Sequence, residues 1–162
     1  AAACSRELRT MSYLLHPPLL DELGLSGAAR DYADGFAERS GIRVDLELPP
    51  ALGRLPKEIE TTLFRVMQET LANTHQHSGS RTASIRFEAD AGEIRLEVAD
   101  SGHGMSPETL KAAESAYAGL GVGIAGMRER IHQLRGRLQI VSAAEGTCVR
   151  ASLPLQAARE GA

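Results

Sequence analysis

Tryptophan is absent from the sequence, and three tyrosines and three phenylalanines bring the aromatic share to only 4%. Few side chains are left on which the bases of single-stranded nucleic acid could stack. The core must be aliphatic, and a 43% hydrophobic content can supply it from Leu, Ile, Val and Ala. Cysteine is scarce as well. Cys4 and Cys148 match no metal spacing, and two are too few for a disulfide framework. A reduced, cytoplasmic setting is expected. No apolar run approaches the ~18–20 residues that span a bilayer, and no signal peptide is visible. An excess of one charge is missing too: 18 basic residues face 21 acidic ones, for a net charge of −3. That balance gives no electrostatic reason to expect a nucleic-acid partner. Arg128, Arg130, Arg135 and Arg137 do cluster, but Glu129 interrupts them, and a solvated helix face is the plainer expectation. An initiator methionine is lacking, and the sequence opens inside an expected helix. It is therefore expected to be a piece of something longer.

What is present suits one domain of 162 residues. Leu8, Met11, Leu14 and Leu15 have helical spacing, and His16-Pro17-Pro18 should stop that helix. A second helix is expected from about Ser26, a plausible N-cap, to Arg39, with Gly41 ending it. The period then changes to two. Val44, Leu46 and Leu48 alternate with charged residues, which predicts a half-buried strand closed by Pro49-Pro50. Pro56 opens a long helix with the apolar stripe Ile59, Leu63, Val66, Met67 and Leu71, running to about His77. Two alternating strands follow, through Ala83, Ile85 and Phe87 and through Ile94, Leu96 and Val98, joined by a hairpin at Ala89–Gly92. Residues 101–121 are rich in Gly, Ser and Ala with weak periodicity and read as the likeliest mobile segment. A helix resumes at about Val122 to Leu134, and a last hairpin turns around Ala144-Glu145-Gly146. Clustered hairpins predict a mixed or antiparallel sheet with helices on one face.

Three short segments carry chemistry. Glu69, Asn73 and His77 recur every four residues, so a regular helix presents an acid, an amide and an imidazole as one stripe. Carboxylate and amide oxygens are hard ligands suited to Mg²⁺ or its waters. A polar, solvated helix face would give the same pattern. Asp100-Ser101-Gly102-His103-Gly104 follows a strand directly. Its glycines allow a sharp turn and close approach of a ligand, and its carboxylate could accept from an exocyclic amine. A plain turn uses the same residues. Gly119-Leu120-Gly121-Val122-Gly123-Ile124-Ala125-Gly126-Met127 opens a helix, where free backbone N–H groups favour phosphate. Gly121 to Gly126 also fits the dinucleotide fingerprint, but that motif must follow a strand, and residues 111–118 read as helix or loop. Each signal is weak alone; in this order, on these elements, they are specific.

Together they resemble the ATP-binding domain of two-component sensor histidine kinases, within the wider Bergerat-type (GHKL) group that includes DNA gyrase B, Hsp90 and MutL. Glu69 to His77 looks like the N box, Asp100-x-Gly102-x-Gly104 the G1 box, and Gly119 to Met127 the G2 box. Gly146-Thr147 looks like the closing motif. Leu14-Leu15-His16-Pro17-Pro18 through Leu25 resembles the connection between dimerisation helices and ATP domain in the nitrate-sensor and lipid-fluidity-sensor subfamily. The resemblance implies an α/β (α+β) two-layer sandwich, with a mixed, largely antiparallel sheet packed on helices. It implies a dimerisation-helix end and linker over 1–40, an ATP-binding domain over 41–156 and a frayed tail over 157–162. It implies ATP and Mg²⁺ as cofactors. Asn73 would hold Mg²⁺, and Glu69 would act on its water network or as general base. Asp100 would accept from the adenine amine, with Thr147 assisting through water. Gly102 and Gly104 would shape the adenine pocket, and Gly121 and Gly123 would hinge a lid. Met105, Gly119 and Val122 complete the implied nucleotide-binding set. The implied partners are a phospho-acceptor domain, a response regulator and a second copy of the full-length chain, with no nucleic acid. The pattern departs at Gln76, where the family often has a phosphate-reaching lysine; His77 would be its partial substitute. No acceptor histidine is expected here, because His16 sits before two prolines in the connecting motif. The stretch should therefore bind ATP without phosphorylating itself. Two rivals share the ATP fold: a serine kinase of the anti-sigma-factor type and a degenerate nucleotide-dependent switch.

Overall fold

The computed structural model describes residues 18–114 and 122–155. The expected helix over residues 5–15, His16, Pro17, Gly119, Gly121 and the tail after Leu155 lie outside them. The first helix, α1, runs Pro18–Ser40 and breaks at Gly24 (φ 68°, ψ −176°). Pro18 opens the part before the break, since proline fits the first helical position, where its missing N–H would have no partner anyway; the part after Gly24 is the helix expected from about Ser26. Gly24 then takes a backbone conformation that side chains rarely allow. Gly41, at φ 73°, ends α1 as expected, its N–H bonding to the Ala37 carbonyl.

Strand β1 (Arg43–Glu47) follows, and its period-two pattern leaves Val44 and Leu46 half-buried. Helix α2 (Lys57–Asn73) has Pro56 at its N-cap. Its stripe Ile59, Leu63, Val66, Met67 and Leu71 is at most 3% exposed. Past Asn73 the helix does not keep its period to His77. It widens into a π-helical turn over Thr74–Ser78 and closes on Gly79 in the left-handed region. Side-chain hydroxyls stitch this turn: Thr74 donates to the Thr70 carbonyl and Ser78 to the Thr74 carbonyl. Single π-turns within helices concentrate at functional sites.

Strands β2 (Thr82–Ala89), β3 (Glu93–Asp100), β4 (Arg137–Ala143) and β5 (Gly146–Pro154) complete a five-stranded sheet in the order β1-β2-β3-β5-β4. Only the β1–β2 pair is parallel. One face is apolar. Ile85, Val98, Val149 and Ile140 stand in one cross-strand row, and Phe87, Leu96, Ala151 and Leu138 in the next. Helices cover this face, giving the two-layer architecture expected. The opposite face carries a row of charges: Glu47, Arg86, Glu97 and Arg150 are successive register partners. The Arg86–Glu47 and Arg150–Glu97 ion pairs both close to 2.7 Å. Exposed pairs of this kind add little stability each, but the alternation keeps like charges from facing one another.

The segment expected to be irregular contains a helix, α3 (Pro107–Glu114). Ser106 caps it, accepting the Thr109 N–H at 3.1 Å, and Pro107 takes the first position. Helix α4 (Val122–Gln133) ends where Arg135 adopts φ 57° and the Gly136 N–H reaches back to the Ile131 carbonyl. Among the described residues no helix is long and apolar enough to cross a membrane.

Candidate nucleotide site

Strand alternation decides what lies at the end of the apolar face. One step past the Ile85–Val98–Val149–Ile140 row, the period of two brings Asp100, Thr147 and Ser142 to the same side. Ala83 is the register partner of Asp100, and Thr147 that of Ser142. Polar groups thus replace Val and Ile where the sheet meets the end of α2. The cleft there is lined by Asn73, Thr74, Asp100 and Thr147 on its polar side and by Met105, Ile124, Met127, Ile140 and Val149 on its apolar side.

Asp100 is the hub. Its Oδ1 accepts the Gly102 N–H at 2.9 Å and the Thr147 N–H at 3.3 Å. Among the described residues its Oδ2 meets only the Thr74 hydroxyl, at 3.3 Å. A carboxylate oxygen with one such partner keeps acceptor capacity. The glycine loop is held from both sides. The His103 N–H bonds to the Ser78 carbonyl, and the Met105 N–H to Ser142 Oγ at 2.7 Å. Ser142 Oγ also meets the Thr147 hydroxyl at 2.9 Å. A side chain at Gly102 would strike the Ser78 backbone, and one at Gly104 (φ 74°) the Ala143 carbonyl. Both glycines are therefore required by close packing, which a simple turn would not demand.

The stripe of Glu69, Asn73 and His77 is only partly kept. Asn73 lines the cleft. Glu69, half-buried one turn earlier, packs against Gly123 of α4, and a Cβ on Gly123 would overlap its carboxylate. His77 is exposed within the π-turn and does not line the cleft; the widened turn rotates it off the line of Glu69 and Asn73. Gln76 is exposed beside it. Val122 is the first residue of α4. Burial pushes the Tyr32 phenol above its usual range; Arg39 opposes the shift and Glu69 adds to it. Burial and the field of Arg130 lower the Arg65 guanidinium.

Some side chains escaped the sequence reading. Thr74, inside the N box but given no role there, and Ser142, outside every box, both bond to the groups that shape the cleft. Arg128 was grouped with a solvated arginine face, and Arg130, Arg135 and Arg137 are indeed exposed. Arg128 instead donates to the Ala113 carbonyl at 2.9 Å and the Leu138 carbonyl at 3.4 Å. It ties the end of α3 and strand β4 to α4, because a guanidinium fork satisfies carbonyls on separate elements.

A family described as histidine kinase-, DNA gyrase B- and HSP90-like ATPase matches residues 58–157. The chain belongs to this family. The match spans the site, from the start of α2 to the end of β5. Among curated proteins, the sensor histidine kinase MctS of Rhizobium johnstonii is 35% identical over 95% of this chain and 32% of its own length. The sensor histidine kinase NarS of Mycobacterium tuberculosis is 34% identical over 95% of this chain and 35% of its own. The signal transduction histidine-protein kinase/phosphatase DegS of Brevibacillus brevis is 31% identical over 92% and 37%. The chain thus spans about a third of the length of these relatives. In fold, it resembles the histidine kinase domain of the blue-light activated histidine kinase EL346 from Erythrobacter litoralis, with a TM-score of 0.69 at 22% identity over 81% of this chain and 61% of that one. The mycobacterial sensor histidine kinase MprB gives 0.58 at 21% identity over 76% and 90%. This ATPase domain, of the kind found in sensor histidine kinases, carries the resemblance read from its boxes.

Proposed function

We propose that this ATPase domain binds ATP with Mg²⁺ and donates the γ-phosphoryl group to a histidine in an upstream dimerisation domain of the same protein, for relay to a response regulator. The observation that carries this reading is the asymmetry of Asp100. Two backbone N–H groups hold Oδ1, while Oδ2 has one hydroxyl partner among the described residues and keeps acceptor capacity, on a residue that lines the cleft. An adenine edge offers such an acceptor an exocyclic amine, and Met105, Ile124 and Met127 offer the ring plane apolar contact. Thr147 would assist through water.

Asn73 and Glu69 fit the metal role. Mg²⁺ usually keeps several waters and takes only one or two protein oxygens beside the phosphates. The Asn73 amide lines the cleft, and the Glu69 carboxylate lies one turn away against Gly123. Bound Mg²⁺ would supply charge neutralisation at the phosphates. Glu69 would hold metal-bound water or take the proton of the acceptor, and Gly123, beside Gly119, Gly121 and Val122, would let the phosphates approach α4 closely. His77 would act from the rim, where a lysine is replaced by Gln76. Residues 1–40 would connect to the dimerisation helices, 41–156 would form the catalytic domain, and the full-length protein, membrane-anchored or not, would work as a homodimer with this domain in the cytoplasm.

The test is calorimetric titration with a non-hydrolysable ATP analogue, with and without Mg²⁺, on wild type and Asn73→Ala. Mg²⁺-dependent binding that Asn73→Ala weakens supports the assignment. Equal binding by both proteins refutes the metal role, and no binding by wild type refutes the nucleotide site.

A further inference from the structure

Thr74 holds a position that none of the roles above uses. It is 2% exposed, so bulk water is not available to its hydroxyl. Thr70 and Asp100 surround that hydroxyl with two acceptors: the Thr70 carbonyl at 3.1 Å and Asp100 Oδ2 at 3.3 Å. A hydroxyl has one proton and can serve one of them fully. Its backbone N–H is committed to the Leu71 and Thr70 carbonyls at the start of the π-turn, which fixes where the side chain stands. Among the described residues this hydroxyl is the one partner of Oδ2, on a residue that lines the cleft, while the other oxygen of the same carboxylate is already held by Gly102 and Thr147.

We propose that Thr74 is a specificity-determining residue of the nucleotide site: its hydroxyl fixes Asp100 Oδ2 as the acceptor for the 6-amino group of the purine. The proposal rests on the ATP reading above and adds to it. Without Thr74, the Asp100 carboxylate keeps two anchors, both on Oδ1, and the plane that presents Oδ2 loses its third. A side chain's terminal carboxylate torsion is soft, so the third anchor matters for direction. A carboxylate oxygen has two lone pairs, so Oδ2 can accept from the Thr74 hydroxyl and from an incoming amine at the same time.

The test compares ATP with inosine triphosphate, which carries a 6-oxo group in place of the amine. Titrations use wild type, Thr74→Val, Thr74→Ala and Thr74→Ser, with melting temperatures recorded in parallel. Both Val and Ala are included so that a packing failure in one leaves the other readable. The expected result is about a five- to tenfold loss of ATP affinity in the Val and Ala variants, the scale of an ordinary net hydrogen bond, because the lost contact acts on the purine through Asp100. Inosine triphosphate should change by less than about twofold, since it offers no amine to the positioned oxygen. Thr74→Ser should restore the wild-type preference. Equal losses for both nucleotides, failure of serine to rescue, or unchanged ATP binding each overturn the role of Thr74. If wild type itself fails to bind ATP, the nucleotide reading falls and this proposal falls with it.

Discussion

Arg54 and Glu60 join across the boundary between solvent and core: the Glu60 side chain is 2% exposed, the Arg54 side chain 57%, and two nitrogens of the guanidinium each sit 3.2 Å from a carboxylate oxygen. The Leu55 N–H adds a third bond to Glu60, and Arg54 also donates to the Leu20 and Asp21 carbonyls of α1. The pair therefore bolts the first part of α1 to the start of α2. The break at Gly24 makes this possible, because a side chain there would press on the Arg54 stem.

Removing one partner should be worse than removing both. Arg54→Ala leaves a buried carboxylate short of donors and should destabilise by about 2–3 kcal/mol, the lower end for a broken buried pair because Arg54 is half in water. Arg54→Met with Glu60→Leu should cost less than the sum of the single changes. Denaturant midpoints of the four proteins measure this; strict additivity would contradict the coupling.

Two glycines should respond differently to alanine. At Gly102 the new methyl meets the Ser78 backbone, which cannot yield, so Gly102→Ala should lower stability by about 1–3 kcal/mol. At Gly123 it meets the end of the Glu69 side chain, which can swing away. Gly123→Ala should therefore melt near wild type while losing Mg²⁺-dependent nucleotide affinity. Melting curves and titrations on both variants check the contrast, and a large stability loss at Gly123 would count against it.

Asp100→Asn keeps the shape of the hub but puts an amide nitrogen in place of one oxygen. A donor at either position faces N–H groups or the amine, so ATP affinity should fall at least tenfold, about the cost of an unpaired buried polar group. Retained affinity in a titration would remove Asp100 from the recognition role.

The hairpin before β3 should show its charge at low pH. The Gly92 N–H, then Arg95 and the Glu93 N–H, hold the Asp90 carboxyl below the usual carboxylate range. Because the folded value lies below the unfolded one, its contribution to stability is present above the unfolded pKa and is lost as pH falls through the folded value. A carboxyl-carbon NMR titration should place the Asp90 midpoint below that of a model peptide, and Arg95→Ala should raise it.

Cys148 should be a sluggish nucleophile. Burial pushes its thiol up, and Glu97 adds to the shift while Arg150 opposes it. In a Cys4→Ser background, iodoacetamide at pH 8 should react with Cys148 more slowly than with glutathione. A faster reaction would contradict this placement.

Much of this was legible because periodicity is local. The alternation of Ile94, Leu96 and Val98 announces β3 and places Asp100 on the inner face before any contact is known. The stripe from Ile59 to Leu71 announces the buried side of α2 in the same way. What stayed hidden depends on partners far along the chain. Thr74 gains its role from Asp100, 26 residues away, and Arg128 from carbonyls on α3 and β4. The π-turn was hidden because a spacing of four fits a regular helix, which is why His77 was expected beside Asn73. Helix α3 did leave a signal, Ser106-Pro107-Glu108, a cap, a first-turn proline and an acid at the helix start, which the surrounding glycines and alanines obscured.

Strand β1 has a consequence for handling the protein. Among the described residues it pairs with β2 alone and stands at the edge of the sheet, the position at which an extended chain could add. It is only five residues long, Arg43, Asp45 and Glu47 point outward, and Pro49-Pro50 follow at once. A strand this short, charged and proline-terminated makes a poor template for fibril growth, so the concentrated solutions that calorimetry needs should stay clear.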